Sequence, residues 1–168
     1  MTEHVPLLEG RGLSKRFVAK RSLFGKPLTE VHALTDVDVA LYPGETLGLV
    51  GESGCGKSTL GRVLLRLHEP TAGRLFHRGR EFTAAGRGEL RALRRHLQIV
   101  FQDPYGSLDP RMTVRALVAE PLRIHGLVTS KGEERDRVAA LLERVGLRPD
   151  AMDRHPHELS GGQRQRVG

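Results

Sequence analysis

Eight residues restrict what this chain can fold into more than any others: Gly51-Glu52-Ser53-Gly54-Cys55-Gly56-Lys57-Ser58, a match to G-x-x-x-x-G-K-[ST]. Thr46 to Val50, just ahead, is short and mostly apolar, which predicts a strand buried on both faces. Leu60, Val63, Leu64 and Leu67 follow at i, i+3, i+4 and i+7, predicting a helix that opens near Lys57 and lays this stripe on a sheet. Strand, glycine loop and helix in that order make a phosphate cradle. The glycines let successive N–H groups turn inward toward phosphate oxygens, and the helix N-terminus adds partial positive charge. Lys57 is placed to reach the β- and γ-phosphates of a nucleotide, and Ser58 to set its hydroxyl on Mg²⁺.

The flanking sequence predicts an α/β chain. Val37, Val39 and Leu41 alternate with Asp36, Asp38 and Ala40, the pattern of a strand with one wet face. Tyr42-Pro43-Gly44-Glu45 then supplies a turn, so a hairpin into Thr46–Val50 is expected. Pro70 to Gly73 breaks the first helix, Arg74 to His77 suits a short strand, and Ala84 to Gly88 reads as a loop. Glu89 to Arg95 reads as a polar helical turn leading into an apolar strand at Leu97 to Phe101. Past Gln102 the pattern becomes helical, at Thr113 to His125 and again at Glu133 to Val145. The second of these carries Val138, Leu141, Leu142 and Val145 on one face, a Ser130/Glu133 capping box at its start and Gly146 at its stop.

Composition narrows the class without naming it. With 38% hydrophobic residues in 168, there is material for one compact core. The formal charge of +7 invites an anionic partner, yet the basic residues are interleaved with acids and aromatics make up only 4%, thin material for stacking nucleic-acid bases. Individual basic clusters are read as solvated surface. No apolar run reaches membrane-spanning length and the first twenty residues lack a secretory h-region, so a soluble or peripheral, cytosolic chain is expected. The lone cysteine, Cys55, excludes an internal disulfide framework and is read as a small filler inside the loop.

A phosphate loop alone leaves several enzyme classes open. Leu159-Ser160-Gly161-Gly162-Gln163 separates them, because with it the chain resembles the ATP-binding cassette (ABC) family, whose signature reads LSGGQ and follows a helical subdomain. Gln102, ending the predicted strand between the two motifs, falls at the family's Q-loop position. The resemblance implies a P-loop NTPase sheet core with an N-terminal antiparallel β subdomain and a helical, signature-bearing subdomain. It divides the chain into a β subdomain and P-loop core at 1–102, a Q-loop and helical subdomain at 103–158, and the signature with the start of its helix at 159–168. ATP and Mg²⁺ are the implied ligands: Gly51, Glu52, Ser53, Gly54, Cys55, Gly56, Lys57, Ser58 and Thr59 would hold the phosphates, Phe17 would stack on adenine, and Ser58 and Gln102 would meet the metal. Gln102 would also position the attacking water. Leu159, Ser160, Gly161, Gly162 and Gln163 would act in trans, on nucleotide held by a second ATPase subunit.

A finer resemblance lies in Gln102-Asp103-Pro104-Tyr105-Gly106-Ser107-Leu108-Asp109-Pro110-Arg111 and in Arg154-His155-Pro156-His157-Glu158, both similar to the dipeptide, oligopeptide and nickel importer branch. It implies transport-coupled ATP hydrolysis driving uptake of peptides or nickel. The implied partners are two integral membrane permease subunits and an extracytoplasmic solute-binding protein, with the chain peripheral at the cytoplasmic face of the inner membrane and no nucleic acid bound. His155 and His157, with a proline between them, are read as loop residues rather than metal ligands. A soluble, non-transport ABC ATPase acting on nucleic acid or translation, and a degenerate fragment, stay open as alternatives.

The family pattern continues, after the signature helix, with an apolar strand ending in Asp-Glu and a switch His, and none of these follows Gln163 within the sequence. The chain is therefore expected to be truncated C-terminally, with part of the core missing and ATP not hydrolysed by it alone. The five residues after Gln163 are too few to form the signature helix unaided. Unsatisfied strand edges predict poor solubility in isolation, and a monomeric chain with a single cooperative melting transition in calorimetry would contradict that.

Overall fold

The computed structural model describes residues 5–21, 27–101 and 108–168. It divides into two compact units, Met1–Leu97 and Gln98–Gly168, each with its own core.

The first unit is built on one long strand. β1 (Leu8–Arg21) pairs antiparallel with β2 (Pro27–Leu41) along its whole length, and on its other edge with β3 (Ala72–His77). A tight turn at Arg78-Gly79, both at positive φ, adds the two-residue β4 (Arg80–Glu81), giving the order β2-β1-β3-β4. The alternation seen in β2 sorts as expected: Val37 and Val39 pack on the core, while the Asp38 carboxylate accepts the Gly12 N–H at 2.6 Å. Gly73 (φ 93) permits the approach of β3 to β1, since a Cβ there would lie 2.4 Å from the Gly12 carbonyl oxygen. Helix α1 (Lys57–Leu64) covers this sheet with Leu60 and Val63, which join Leu13, Leu34, Leu75 and Phe82 in the core. Each such burial stabilises by about 1.5–3 kcal/mol. Leu67 falls beyond the helix end and is exposed, so the stripe is one residue shorter than its spacing suggested. Helix α2 (Arg87–Leu93) begins two residues earlier than expected and packs Leu90 and Leu93 against the same core.

Two expectations fail here for one reason. Thr46–Val50 is not a strand: the turn forms, with the Glu45 N–H donating to the Tyr42 carbonyl at 3.2 Å, but no ladder follows and Val50 is 97% exposed. Leu97–Phe101 likewise carries no ladder, with Val100 at 87% exposure. An apolar run becomes a strand only where neighbours supply N–H and C=O partners, and among the described residues none flanks these two. β2 therefore forms its hairpin backward with β1, not forward across the turn.

The second unit is helical. α3 (Val114–Ile124) is capped by Thr113, whose hydroxyl accepts the Ala116 N–H at 3.3 Å. α4 (Lys131–Arg144) is capped by Ser130, which accepts the Glu133 N–H at 3.1 Å. The short bonds of the Glu133 carboxylate go to the Thr129 N–H and hydroxyl, both 2.8 Å, so the reciprocal half of the predicted capping box lands one residue early. At its far end Gly146 takes φ 70, its N–H reaches the Glu143 carbonyl, and the Leu147 N–H reaches the Leu142 carbonyl. That paired closure also folds Leu147 into the core. Val114, Ala119, Leu122, Val138, Leu142, Met152 and Leu159 fill the rest. Two 3₁₀ turns, Pro149–Asp153 and Pro156–Glu158, carry the chain to α5 (Gly161–Val167).

One ionic bond ties α3 to α4. Glu134, buried, accepts two N–H groups of Arg123 at 2.5 and 2.6 Å. The Arg123 guanidinium holds this carboxyl below its ordinary value of 4.5, against the opposing effect of burial. A carboxyl whose pKa is lowered on folding contributes stability that is complete above the unfolded value and fades as pH falls through the native one.

Two outcomes are expected. Leu142→Ala, at a residue 1% exposed, loses about 2–5 kcal/mol in urea unfolding, whereas Val145→Ala, from the same predicted stripe but 40% exposed, changes it by about 0.5 kcal/mol or less. Glu134→Gln lowers stability by a constant amount at neutral pH, and the gap to the parent narrows as pH is taken below 4.5 in an acid-unfolding series.

Candidate functional site

The glycine loop is shaped by backbone that only glycine adopts readily. Gly54 and Gly56 have φ of 84 and 97, and a Cβ on Gly56 would lie 2.5 Å from the Ala33 carbonyl oxygen of β2. Gly56 is thus both the N-cap of α1 and the point where the loop seats on the sheet. The first bond inside α1 runs from the Leu60 N–H to the Gly56 carbonyl, so the N–H groups of Lys57, Ser58 and Thr59 have no partner within the helix. No acidic side chain lies in that first turn to compete for them.

The Lys57 side chain turns back into the loop. Its ammonium donates to the Gly51 and Glu52 carbonyl oxygens at 2.8 and 2.6 Å and sits 3.5 Å from the Cys55 sulfur. A second bond, from the Cys55 N–H to the Glu52 carbonyl at 3.3 Å, closes the curl. The result is a cationic centre ringed by main chain, beside three free N–H groups at a helix N-terminus, which is the chemistry a phosphate group requires. Ser58 exposes its hydroxyl in the same turn. Among the described residues no cluster of three or more His, Cys, Asp or Glu is placed to hold a metal. Mg²⁺ keeps several waters and takes one or two protein oxygens plus phosphate oxygens, so a lone hydroxyl beside a phosphate cradle fits it.

The other predicted residues fall in different places. Phe17, half-buried on β1 opposite Val31, meets His68 edge-on with ring centroids 5.5 Å apart, and the Lys15 ammonium lies 5.1 Å from its centroid; neither neighbour belongs to the loop. Gln102 lies outside the described residues, as do Asp103 to Ser107. Farther along that stretch the Asp109 carboxylate accepts the Arg111 N–H at 3.0 Å and its guanidinium at 2.8 and 3.0 Å. Those bonds pull the Asp109 pKa down to about 2.

The signature helix forms despite its length. Leu159 is buried in the helical core. Ser160 accepts the Gln163 N–H at 3.3 Å while the Gln163 amide oxygen accepts the Ser160 N–H at 2.9 Å, a complete capping box. At the other end the Arg166 guanidinium donates to the Val145 and Gly146 carbonyls, both 3.1 Å, and Val167 packs on the core. Seven residues are helical because both ends are fastened, so the segment judged too short to form a helix unaided forms one with that help. The Arg164 N–H makes the first internal bond, to the Ser160 carbonyl, leaving the N–H groups of Gly161 and Gly162 without helical partners, and open space surrounds the Gly162 α-carbon.

Sequence reasoning missed the lead-in to this helix. The Glu158 carboxylate accepts the His155 N–H at 2.7 Å and stands 3.4 Å from His155 Nδ1, capping the 3₁₀ turn that delivers Leu159. His155 and His157 stack with centroids 5.5 Å apart. The signal was present, a carboxylate three residues after a capping position, but a histidine in that position does not announce itself as Ser or Asp would.

Comparison with known proteins agrees with this arrangement. The family described as ABC transporter matches residues 34–168. The chain is similar to the glutathione import ATP-binding protein GsiA of Salmonella typhimurium (strain LT2), 53% identical over 167 residues that cover 99% of this chain and 27% of that one. It spans about a quarter of the length of the curated relatives it matches. Among solved structures it is similar to the dimeric bacterial ABC transporter cassette MJ0796, with TM-score 0.77 and 29% identity over 95% of this chain and 66% of that one. A post-hydrolysis dimer of MJ0796 bound to ADP and Pi gives TM-score 0.76 and 28% identity at the same coverage. These neighbours bear out the expected α/β cassette fold class, and with a phosphate loop, a capped signature helix and a family match over most of its length, the chain belongs to the ABC transporter family.

Proposed function

We infer that this chain is the ATP-binding portion of an importer ATPase that couples nucleotide binding and hydrolysis to uptake of small peptides, with glutathione or nickel as related cargo. The observation that carries the reading is the Lys57 ammonium, held by two loop carbonyls at the mouth of three unpaired helix N–H groups. An arriving triphosphate replaces those carbonyls as the partner of Lys57 and takes the N–H groups of Lys57, Ser58 and Thr59. Residues Gly51 to Gly56 wrap the β-phosphate through their main chain, and Ser58, with Gln102, would hold Mg²⁺. Bound there, the metal would supply positive charge to the phosphate oxygens. Gln102 orients the attacking water, and Phe17 takes the adenine on its ring in place of Lys15.

Leu159, Ser160, Gly161, Gly162 and Gln163 act on the nucleotide of a second ATPase subunit. Support comes from the free Gly161 and Gly162 N–H groups and the exposed Ser160, and from a similar cassette being described as a dimer. Residues 1–102 are assigned to the β subdomain and nucleotide core, 103–158 to the Q-loop and helical subdomain, and 159–168 to the signature. Two integral membrane subunits and an extracytoplasmic solute-binding protein complete the importer, with the chain peripheral at the cytoplasmic face of the inner membrane and no nucleic acid engaged. No helix among the described residues is long and apolar enough to cross a membrane. The peptide assignment leans on similarity to a protein named for glutathione import.

Equilibrium dialysis against Mg-ATP tests the nucleotide site: Lys57→Ala weakens binding by roughly 10- to 100-fold, the loss of charge-assisted hydrogen bonds, and Gly56→Ala abolishes it through the clash with Ala33. Ser160→Ala leaves ATP affinity of the single chain unchanged and impairs ATP-driven dimer formation in sedimentation. Labelled glutathione and a labelled dipeptide taken up equally by cells with and without the gene would overturn the cargo assignment.

A further inference from the structure

β1 changes neighbours at Ser14. Up to that residue one edge pairs with β3, and beyond it the same edge is taken over by the segment that leaves α1. The Thr71 N–H donates to the Ser14 carbonyl at 2.7 Å, the Arg16 N–H to the Thr71 hydroxyl at 3.0 Å, and the Lys15 ammonium to the Glu69 carbonyl at 2.7 Å. The segment is itself held at its start. Arg66 takes φ 53, uncommon for a residue with a Cβ, and the N–H groups of Leu67 and His68 both return to the Arg62 carbonyl, at 2.8 and 3.2 Å. The Arg66 side chain, nine-tenths buried, donates to the Phe82 carbonyl at 2.9 Å and to the Glu69 carboxylate at 3.1 Å. His68 is thereby delivered to a fixed place beside β1, against Phe17.

The two rings meet with their planes 83° apart. Among the described residues the His68 imidazole makes no hydrogen bond, so what it offers Phe17 is the ring itself. The Lys15 ammonium and the His68 ring cannot occupy one position around Phe17, and Lys15 is the group that adenine replaces. His68 therefore holds Phe17 from a direction the base does not need. A half-buried phenyl ring on a strand keeps some freedom about its side-chain torsions, and a ring fastened on one side has lost that freedom before any ligand arrives. We propose that His68 is a positioning residue of the base site, fixing through its edge-on contact the plane of the Phe17 ring on which adenine stacks; this rests on the assignment of Phe17 to adenine. One helix then serves both ends of the nucleotide, since α1 opens at Gly56 on the phosphate loop and its exit carries His68 to the base.

The experiment is equilibrium dialysis of the full chain against Mg-ATP and against inorganic triphosphate with magnesium, which offers the phosphates and no base. The quantity read is the ratio of the two affinities. His68→Ala lowers that ratio by roughly 3- to 10-fold, the size of one aromatic pair, while His68→Phe, which keeps a ring in place, holds it within about twofold. In a Phe17→Ala chain, with no ring left to hold, His68→Ala changes the ratio by less than about twofold. A ratio that Phe17→Ala itself leaves unchanged would remove the adenine reading and this proposal with it. Three results would overturn the role of His68 alone and leave the adenine site standing: a ratio lowered by Phe17→Ala but not by His68→Ala, an equal loss of both ligands in His68→Ala, as a purely structural residue would give, or a loss in His68→Phe as large as in His68→Ala.

Discussion

Pairing of backbone N–H and C=O groups governs this molecule more than any side-chain contact. β1 pairs with β2 along one edge and, from Leu8 to Ser14, with β3 on the other, and the sheet exists because of it. α3, α4 and α5 each begin on a hydroxyl that takes up an otherwise orphaned donor, and α4 ends on a glycine that returns two carbonyls to partners. Against that background the unpaired groups stand out. Among the described residues two such sets, at the opening of α1 and the opening of α5, differ from the unladdered runs Thr46–Val50 and Leu97–Phe101 in lying at a helix N-terminus beside an exposed hydroxyl group. Donors grouped in that way are suited to an anion.

The two openings are built by opposite means. At α1 the N-cap is a glycine without a side chain, so the donors stay bare and the lysine supplies the charge, stored against loop carbonyls. At α5 the N-cap is a serine whose oxygen is engaged by Gln163, and the two glycines after it keep the approach open. One site is cationic and cupped; the other is neutral and shallow. That difference suits tight anion binding at the first opening and a lighter contact at the second.

Much of this was legible in the sequence, and the exceptions share a cause. Helices were found because their signals are local: the spacing of Leu60 and Val63, the cap at Ser130, the stop at Gly146. The strand at Arg74–His77 was found because Pro70 to Gly73 and the following turn bracket it. Thr46–Val50 and Leu97–Phe101 have the composition of strands, yet a strand is a relation between segments, and composition does not disclose the partner. For the same reason the reach of β1, paired over fourteen residues, was invisible in its mixed sequence. Within the candidate site Lys57 and the glycines were singled out by motif spacing, and Ser160 by the family resemblance. The return of Lys57 to its own loop, the seat of Gly56 on Ala33 and the cap at His155 depend on three-dimensional closeness and emerged only with the fold.

The reciprocal cap at Ser160 and Gln163 carries an implication for which residue types the signature tolerates. With its amide oxygen bound to the Ser160 N–H, Gln163 spends its side chain on holding the turn, and what it offers beyond that is neutrality. A glutamate accepts the same N–H, yet it would set a full negative charge within one helical turn of the unpaired Gly161 and Gly162 N–H groups. An aspartate would be too short to return the bond. Glutamine is therefore the side chain long enough to close the turn and silent enough not to repel what the turn presents, and drift at this position should be read as a change in anion tolerance before it is read as a change in shape.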